Sequence, residues 1–288
     1  MSTTPTATAA PGTSTDSADS GKVWFVTGAS RGFGKVWTKA ALERGDRVVA
    51  TARNTDDLQD LTDHYGEQVL TLSLDVTQRP AVFAAVEQAV QRFGRLDVIV
   101  ANAGHGLFGA LEETTEAAAR EQIEVNLFGT VWLLQAVAPV LRTQRSGHVL
   151  LTSSFGGLVS FATASMYGAS KYAVEGLGES FAMEVSDFGV HVTLVEPAAY
   201  ATDFNTSSQQ TDALPDYDQA RGRTGEFFTQ LPPGDPAHTA DAILTLVDMP
   251  TPPLRLLLGS HVLPLILDTY DQRTRTWHAH ETLTNQAQ

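Results

Sequence analysis

Short, almost wholly apolar runs alternate along this chain with stretches of helix length, and no other feature limits its fold so severely. Strands arranged this way pair in parallel, and each crossover between them is right-handed. The runs are KVWFVTG, DRVVATA, EQVLTLSLDV, LDVIVANAG, GHVLLTSS, VHVTLVEP and, near the C-terminus, LRLLLG. Between them helices are predicted over about 32–44, TDDLQDLTDHYG, RPAVFAAVEQAVQRFG, about 115–142 and the segment holding ASMYGASKYAVEG. The region 115–142 reads as two helices meeting near Asn126. A further helix is expected over about 236–248, ahead of a last helical tail. Apolar strands imply a sheet covered on both faces. The fold class is therefore α/β, a doubly wound three-layer α/β/α sandwich that binds ligands at the carboxyl ends of its strands.

A chain of 288 residues is long enough for one substantial core. No internal repeat or second domain is apparent, so residues 21–288 read as a single domain. Residues 198–235, polar, rich in Gly and Pro and studded with aromatics, read as a substrate loop. The formal charge of −14 argues against a nucleic-acid partner. The absence of cysteine excludes disulfides and thiolate sites. Eight histidines show no metal-ligand spacing beyond His278 and His280, so no metal is expected. Residues 1–20 read as a disordered Ser/Thr/Ala/Pro-rich tail without the basic and apolar regions of a secretory signal. No apolar run approaches the roughly 20 residues that span a bilayer, and a cytoplasmic protein without a membrane partner is expected.

VTGASRGFG follows the first strand and opens the first helix. Gly28, Gly32 and Gly34 leave the backbone free to approach a pyrophosphate, and the helix start supplies N–H groups and positive potential. Ser30, Arg31 and Phe33 share that turn. Its spacing is G-x-x-x-G-x-G, not the common G-x-G-x-x-G. An NAD site carries a carboxylate at the end of the second strand, whereas this chain has Ala52 and Arg53. Arg31 and Arg53 suit a 2′-phosphate, which favours NADP(H) over NAD(H); the alternative is two solvated surface charges. Asp75, followed by Val76, is placed to meet an adenine edge or to cap a helix. Asn102, Ala103 and Gly104 end the fourth strand in a turn of small residues that lets the backbone lie along the cofactor ribose; the alternative is simply a turn.

TGASRGFG, NAG, VNLFG, a serine pair, YGASK and VEPAAYAT occur in the order and approximate spacing of the short-chain dehydrogenases/reductases, which the chain resembles from about residue 22 to 203 and more loosely beyond. The resemblance implies a Rossmann-type seven-stranded parallel sheet of order 3-2-1-4-5-6-7. It also implies a catalytic tetrad of Asn126, Ser154, Tyr167 and Lys171. Ser154 fits better than Ser153, because it stands thirteen residues before Tyr167 and opens the S-x-x-G pattern. The family's Pro-Gly after the sixth strand is here Pro197-Ala198. An alanine there carries a penalty if φ is positive, and an altered nicotinamide pocket is expected. Thr202 falls where the family bonds the carboxamide.

Tyr167 and Lys171, four apart, share a helix face. A free tyrosine titrates near about 10, and roughly 4 kcal/mol of bias brings it to neutrality. Lys171 is expected to supply that bias, aided by the positive nicotinamide ring of the oxidised cofactor, and, by resemblance, to hold the nicotinamide ribose, while Asn126 holds a water that links it to solvent. Ser154 would stabilise the substrate oxygen. Phe155, Phe161, Tyr200 and Phe204, with Phe108 at the mouth, suggest an apolar, fairly bulky secondary alcohol or ketone. The chain looks loosely like the hydroxysteroid- and retinol-dehydrogenase-like members. The family commonly pairs through its two long helices, so a homodimer or homotetramer is expected. The alternatives are a catalytically silent NADP-binding regulatory protein and a redox-neutral epimerase or dehydratase.

Overall fold

The computed structural model describes residues 21–287; the expected tail at 1–20 lies outside the described residues. Seven strands form one parallel sheet: β1 (Val23–Thr27), β2 (Arg47–Ala52), β3 (Val69–Ser73), β4 (Val98–Ala101), β5 (Gly147–Thr152), β6 (Val190–Pro197) and β7 (Arg255–Leu258). Their order is β3-β2-β1-β4-β5-β6-β7, as the resemblance implies. The reversal of direction between β1 and β4 opens the crevice in which such sheets hold ligands.

Alternation along β1 divides the core. Val23 and Phe25 face a cluster under α3 (Arg79–Phe93), α5 (Gly129–Gln144) and α6 (Ser165–Val185), while Trp24 and Val26 face one under α1 (Gly32–Glu43) and α8 (Ala240–Asp248). Trp24 and Trp37 are fully buried, and each indole N–H donates at 2.8 Å, to Asp46 and Thr239 respectively. Burying a side chain of this kind contributes about 2–3 kcal/mol. On α6, Gly178 lets the helix lie on the sheet: a Cβ there would stand 2.7 Å from Leu194 and 2.9 Å from Leu151. That close seat fixes the depth at which the same helix presents Tyr167 and Lys171.

Three sequence expectations change. Over 115–142 two helices do meet around Asn126, as expected, and the change concerns their joint length. α4 (Glu116–Ile123) runs through a π turn, Glu124–Phe128, directly into α5. By length and composition the continuous helix Glu116–Gln144 could cross a membrane, which corrects the reading that no such segment exists. Here it packs against α3 and α6 and buries Gln122 and Asn126.

Residues 198–235 are also more ordered than a loop. They carry α7 (Asp218–Thr229) and a two-residue strand, Gln209–Gln210, parallel to Leu107–Phe108. With Gly222 and Gly225 inside it and its two phenylalanines at one end, α7 has no apolar stripe to read. It is held by tertiary contacts rather than propensity. α2 (Gln59–Tyr65) and the final α9 (Leu263–Ala279) fall where helices are expected.

The third change concerns Ala198. Among the described residues only Arg145 and Thr163 are non-glycines at positive φ, so Ala198 carries no left-handed strain. The freedom is displaced to Gly259, at φ 94°, whose Cβ would stand 2.9 Å from that of Ala198. The Ala198 N–H donates to Leu258 at 2.8 Å and ties the two turns together.

Candidate active site

A cleft of about 1150 Å³ opens at the carboxyl ends of the strands. Every expected site residue lines it except Gly34 and Asn126. Both of these work from behind. A Cβ on Gly34 would stand 2.1 Å from the Gly28 carbonyl oxygen, so this glycine lets α1 close against the turn. Asn126, in the π turn, accepts the His105 N–H at 3.0 Å and donates to the His105 carbonyl at 3.0 Å and to Ser170 Oγ at 3.1 Å. Ser170 in turn donates to the Tyr167 carbonyl at 2.7 Å. The amide thereby clamps the segment after β4 to the helix that carries Tyr167.

At one end of the cleft, α1 starts at Gly32 with no side-chain cap, so its first N–H groups are left for a ligand. Gly28, at φ 69°, passes so close to the β4 turn that a Cβ would meet Ala103 Cα at 3.0 Å. Asn102 Nδ2 holds this turn through the carbonyls of Thr27, at 3.1 Å, and Gly28, at 3.2 Å. Arg31 and Arg53 line the wall beyond. Uncapped N–H groups and side-chain-free backbone are the donor set that a dinucleotide pyrophosphate uses, and the residues present fit it. Asp75 Oδ1 is taken up by Thr77 N–H and Oγ at 3.0 and 2.8 Å, and the residue that precedes α3 is Gln78, so the capping alternative for Asp75 is not realised. Tyr200 packs on Phe33 with ring centroids 5.2 Å apart, which places it beside the glycine turn rather than within the phenylalanine cluster.

The middle of the cleft holds Ser154, Tyr167 and Lys171. Gly156 brings the first two together: its Cβ position is 3.3 Å from Tyr167 Cε1 and 3.4 Å from Ser154 Oγ. Ser154 Oγ accepts the Gly156 N–H at 3.0 Å, which leaves its own proton free to donate into the cleft. Lys171 Nζ donates to the Thr152 carbonyl at 2.8 Å and stands 5.9 Å from the Tyr167 ring centroid. Burial pushes the Tyr167 phenol up to about 12, against the pull of Ser154, and pushes Lys171 down to about 8, against the pull of Glu175. The Lys171 ammonium is turned to Thr152, and burial dominates at the phenol.

The far end is aromatic. Tyr167 contacts Phe108 and Phe204 at 5.6 and 5.4 Å between centroids. Phe155, Phe161 and, from the end of α7, Phe227 and Phe228 form a second group. α7 is latched over this group by Glu113, whose carboxylate accepts from Ala110 and Leu214 N–H at 2.7 Å, Thr211 Oγ at 2.9 Å and Arg221 at 3.1 Å. These donors, Leu214 foremost, hold the Glu113 carboxyl down to about 2.

Sequence reading missed Glu113 and Arg221, which are paired only by the fold, 108 residues apart. It also missed Thr163, a β-branched cleft residue at φ 60° just ahead of α6, a conformation that costs on the order of 1–3 kcal/mol. His105, just after Asn102–Gly104, was likewise unread. Its Nε2 is buried without a partner, and burial pushes its pKa down.

A family model described as short chain dehydrogenase matches residues 22–213. Over 245 residues the chain is 38% identical to an oxidoreductase, BOA17, of Botryotinia fuckeliana, a match covering 83% of this chain and 89% of that protein. The crystal structure of a short-chain dehydrogenase from Streptomyces avermitilis superposes with a TM-score of 0.88 at 38% identity, covering 94% of this chain and all of that one (100%). An alcohol dehydrogenase from Thermococcus sibiricus, complexed with 5-hydroxy-NADP, superposes with a TM-score of 0.71 at 30% identity, covering 83% and 97%. With the seven-stranded sheet, the glycine turn and a serine, tyrosine and lysine converging on one cleft, these likenesses make the chain a member of the short-chain dehydrogenase family, an oxidoreductase built for a nicotinamide cofactor and CH–OH chemistry.

Proposed function

We propose that this enzyme is an NADP(H)-dependent oxidoreductase that interconverts a bulky, apolar secondary alcohol and its ketone. One observation carries the reading: Ser154, Tyr167 and Lys171 meet between a cleft end lined by Arg31 and Arg53 and a cleft end lined by phenylalanines. When bound, a nicotinamide nucleotide supplies the hydride chemistry. The chain supplies protons, orientation and a dry wall. Tyr167 is the proton donor to a carbonyl oxygen, and Ser154, its Oγ already accepting from Gly156, donates a second hydrogen bond to the same oxygen. A phenol pushed up by burial is protonated at neutral pH, the form that can give its proton to a carbonyl oxygen. The reverse direction calls on the phenolate, which the Lys171 ammonium and a positive nicotinamide ring would favour. Lys171, with Asn126 holding α6 from behind, also keeps the site in register.

The finer calls rest on the same residues. Arginines at the glycine turn and after β2, where an NAD site keeps a carboxylate, favour the 2′-phosphate of NADP. The stacked Phe128 and Trp132 at the start of α5, with Phe128 exposed, support pairing of two copies along α4 and α5 into a homodimer or homotetramer. A cytoplasmic location is part of the same reading.

The test is a screen of apolar ketones and alcohols with NADPH and NADH, followed by absorbance of the reduced cofactor. Tyr167→Phe should lose at least about 10²-fold in turnover while binding NADPH as the wild type does. Full turnover in that variant would end the assignment. Tight NADPH binding with no turnover on any carbonyl would favour a silent binding protein.

A further inference from the structure

Behind Lys171, away from the cleft, lies a buried ionic cluster that the proposed chemistry does not use. Glu175 follows Lys171 by one helical turn on α6, and its side chain is tucked against Gly157, whose Cβ position is 2.8 Å from Ser153 Oγ, 3.1 Å from the Lys171 carbonyl and 3.2 Å from Glu175 Cγ. Arg255, on the edge strand β7, donates its single Nε proton to Glu175 Oε2 at 3.2 Å and reaches Glu179 Oε1 at 2.6 Å. Glu196, at the end of β6, has Oε1 3.3 Å from the same Nε yet receives no hydrogen bond. Glu175 and Glu196 are 6% and 3% exposed. Two carboxylates thus compete for one guanidinium inside the protein, and Glu175 receives its proton.

We propose that Glu175 is a positioning residue that keeps the Lys171 ammonium charged, and that Arg255 keeps Glu175 ionised for this task. The inference rests on the reading of Tyr167 and Lys171 given above. Lys171 has one hydrogen-bond partner, a neutral carbonyl, and an ammonium so buried needs a counter-charge. The charged or titratable groups facing Glu175 are Lys171 and Glu179 on α6, Glu196 on β6, Arg255 on β7 and, from α9, Tyr270. Lys171 and Arg255 are the cations among them. Burial pushes Glu175 up, and burial with Glu175 as neighbour pushes Glu196 up to about 8. Of the two carboxylates, Glu175 receives the Arg255 hydrogen bond and Glu196 Oε1 receives none, so Glu175, one helical turn from Lys171, is the one that Arg255 holds ionised.

The sign follows. Removing the Glu175 charge lowers the pH at which Lys171 loses its proton, so the alkaline limb of ketone reduction moves to lower pH. The experiment is the pH profile of kcat for NADPH-dependent reduction in the full chain. Glu175→Gln should move that limb down by about one pH unit, the scale of one buried charge on its neighbour. The KM for NADPH should stay within about twofold, because Glu175 lies outside the cleft lining. Glu175→Asp should restore the limb, and Arg255→Gln should move it the same way, with no added shift in the double variant. An unmoved limb in folded Glu175→Gln overturns the proposal; should that variant fail to fold, an unmoved limb in Arg255→Gln does so. Full turnover by Tyr167→Phe would instead overturn the site reading and this inference with it.

Discussion

Replacing Gly259 by alanine tests how this chain does without the glycine its family keeps after β6. Two costs add. The backbone at φ 94°, ψ 90° is one that L-residues avoid, worth about 1–3 kcal/mol. The new methyl would stand 2.9 Å from Ala198 Cβ and 3.0 Å from His261 Cε1, whereas carbons pack at about 3.5–4.0 Å. Relieving that overlap costs a further 1–3 kcal/mol, roughly. A total near 3 kcal/mol lowers Tm by about 6–12 °C in a chain of this size. The informative variant is the double one. Ala198→Gly alone should cost about 1 kcal/mol or less, through unfolded-chain entropy. Combined with Gly259→Ala it should return about 1 kcal/mol of the steric cost while the backbone cost stays. Urea unfolding of the four proteins measures the cycle, and kcat/KM follows the turn that carries Pro197. Costs that add to within about 0.5 kcal/mol would refute the contact between the two turns.

Two further outcomes test the cofactor and lid ends. Arg53→Ala should weaken NADPH binding at least about tenfold more than NADH binding, the scale of one charge-assisted hydrogen bond to phosphate; equal losses by titration calorimetry would remove the 2′-phosphate role. For Glu113, a carboxyl held at about 2 contributes stability that is fully present above its ordinary value of 4.5 and is lost as pH falls through about 2. The urea-midpoint gap between wild type and Glu113→Gln should therefore be constant above that ordinary value and shrink below it. Trypsin should cut at Arg221 faster in the variant at neutral pH, and equal cleavage would deny the latch.

The sheet was legible because each strand is a short apolar run with a helix on either side, a pattern that only a covered parallel sheet satisfies. Tyr167 and Lys171 were legible because residues four apart share a helix face, and Ser154 through the family resemblance, whose separation of thirteen it matches. What escaped reading depends on contacts across the chain. α7 has no apolar stripe of its own and is ordered by a carboxylate from a distant segment. The π turn has no composition of its own, and Asn126 is held there by backbone groups after β4. The direction of the Lys171 ammonium is set by a carbonyl on β5, and the Ala198 turn is relieved at a glycine sixty-one positions later.

The π turn in the long helix holds one residue more than an α-helical turn, an excess that relaxes if that residue is excised. A chain shortened by one at Glu124–Phe128 would regain regular i→i−4 bonding while α4 and α5 kept the faces they present to α3 and α6. If the excised residue were Asn126, the His105 N–H and carbonyl would lose their partner, which costs stability, while the glycine turn would keep its contacts. The shortened chain would also have lost the amide brace that reaches the tyrosine's backbone through Ser170.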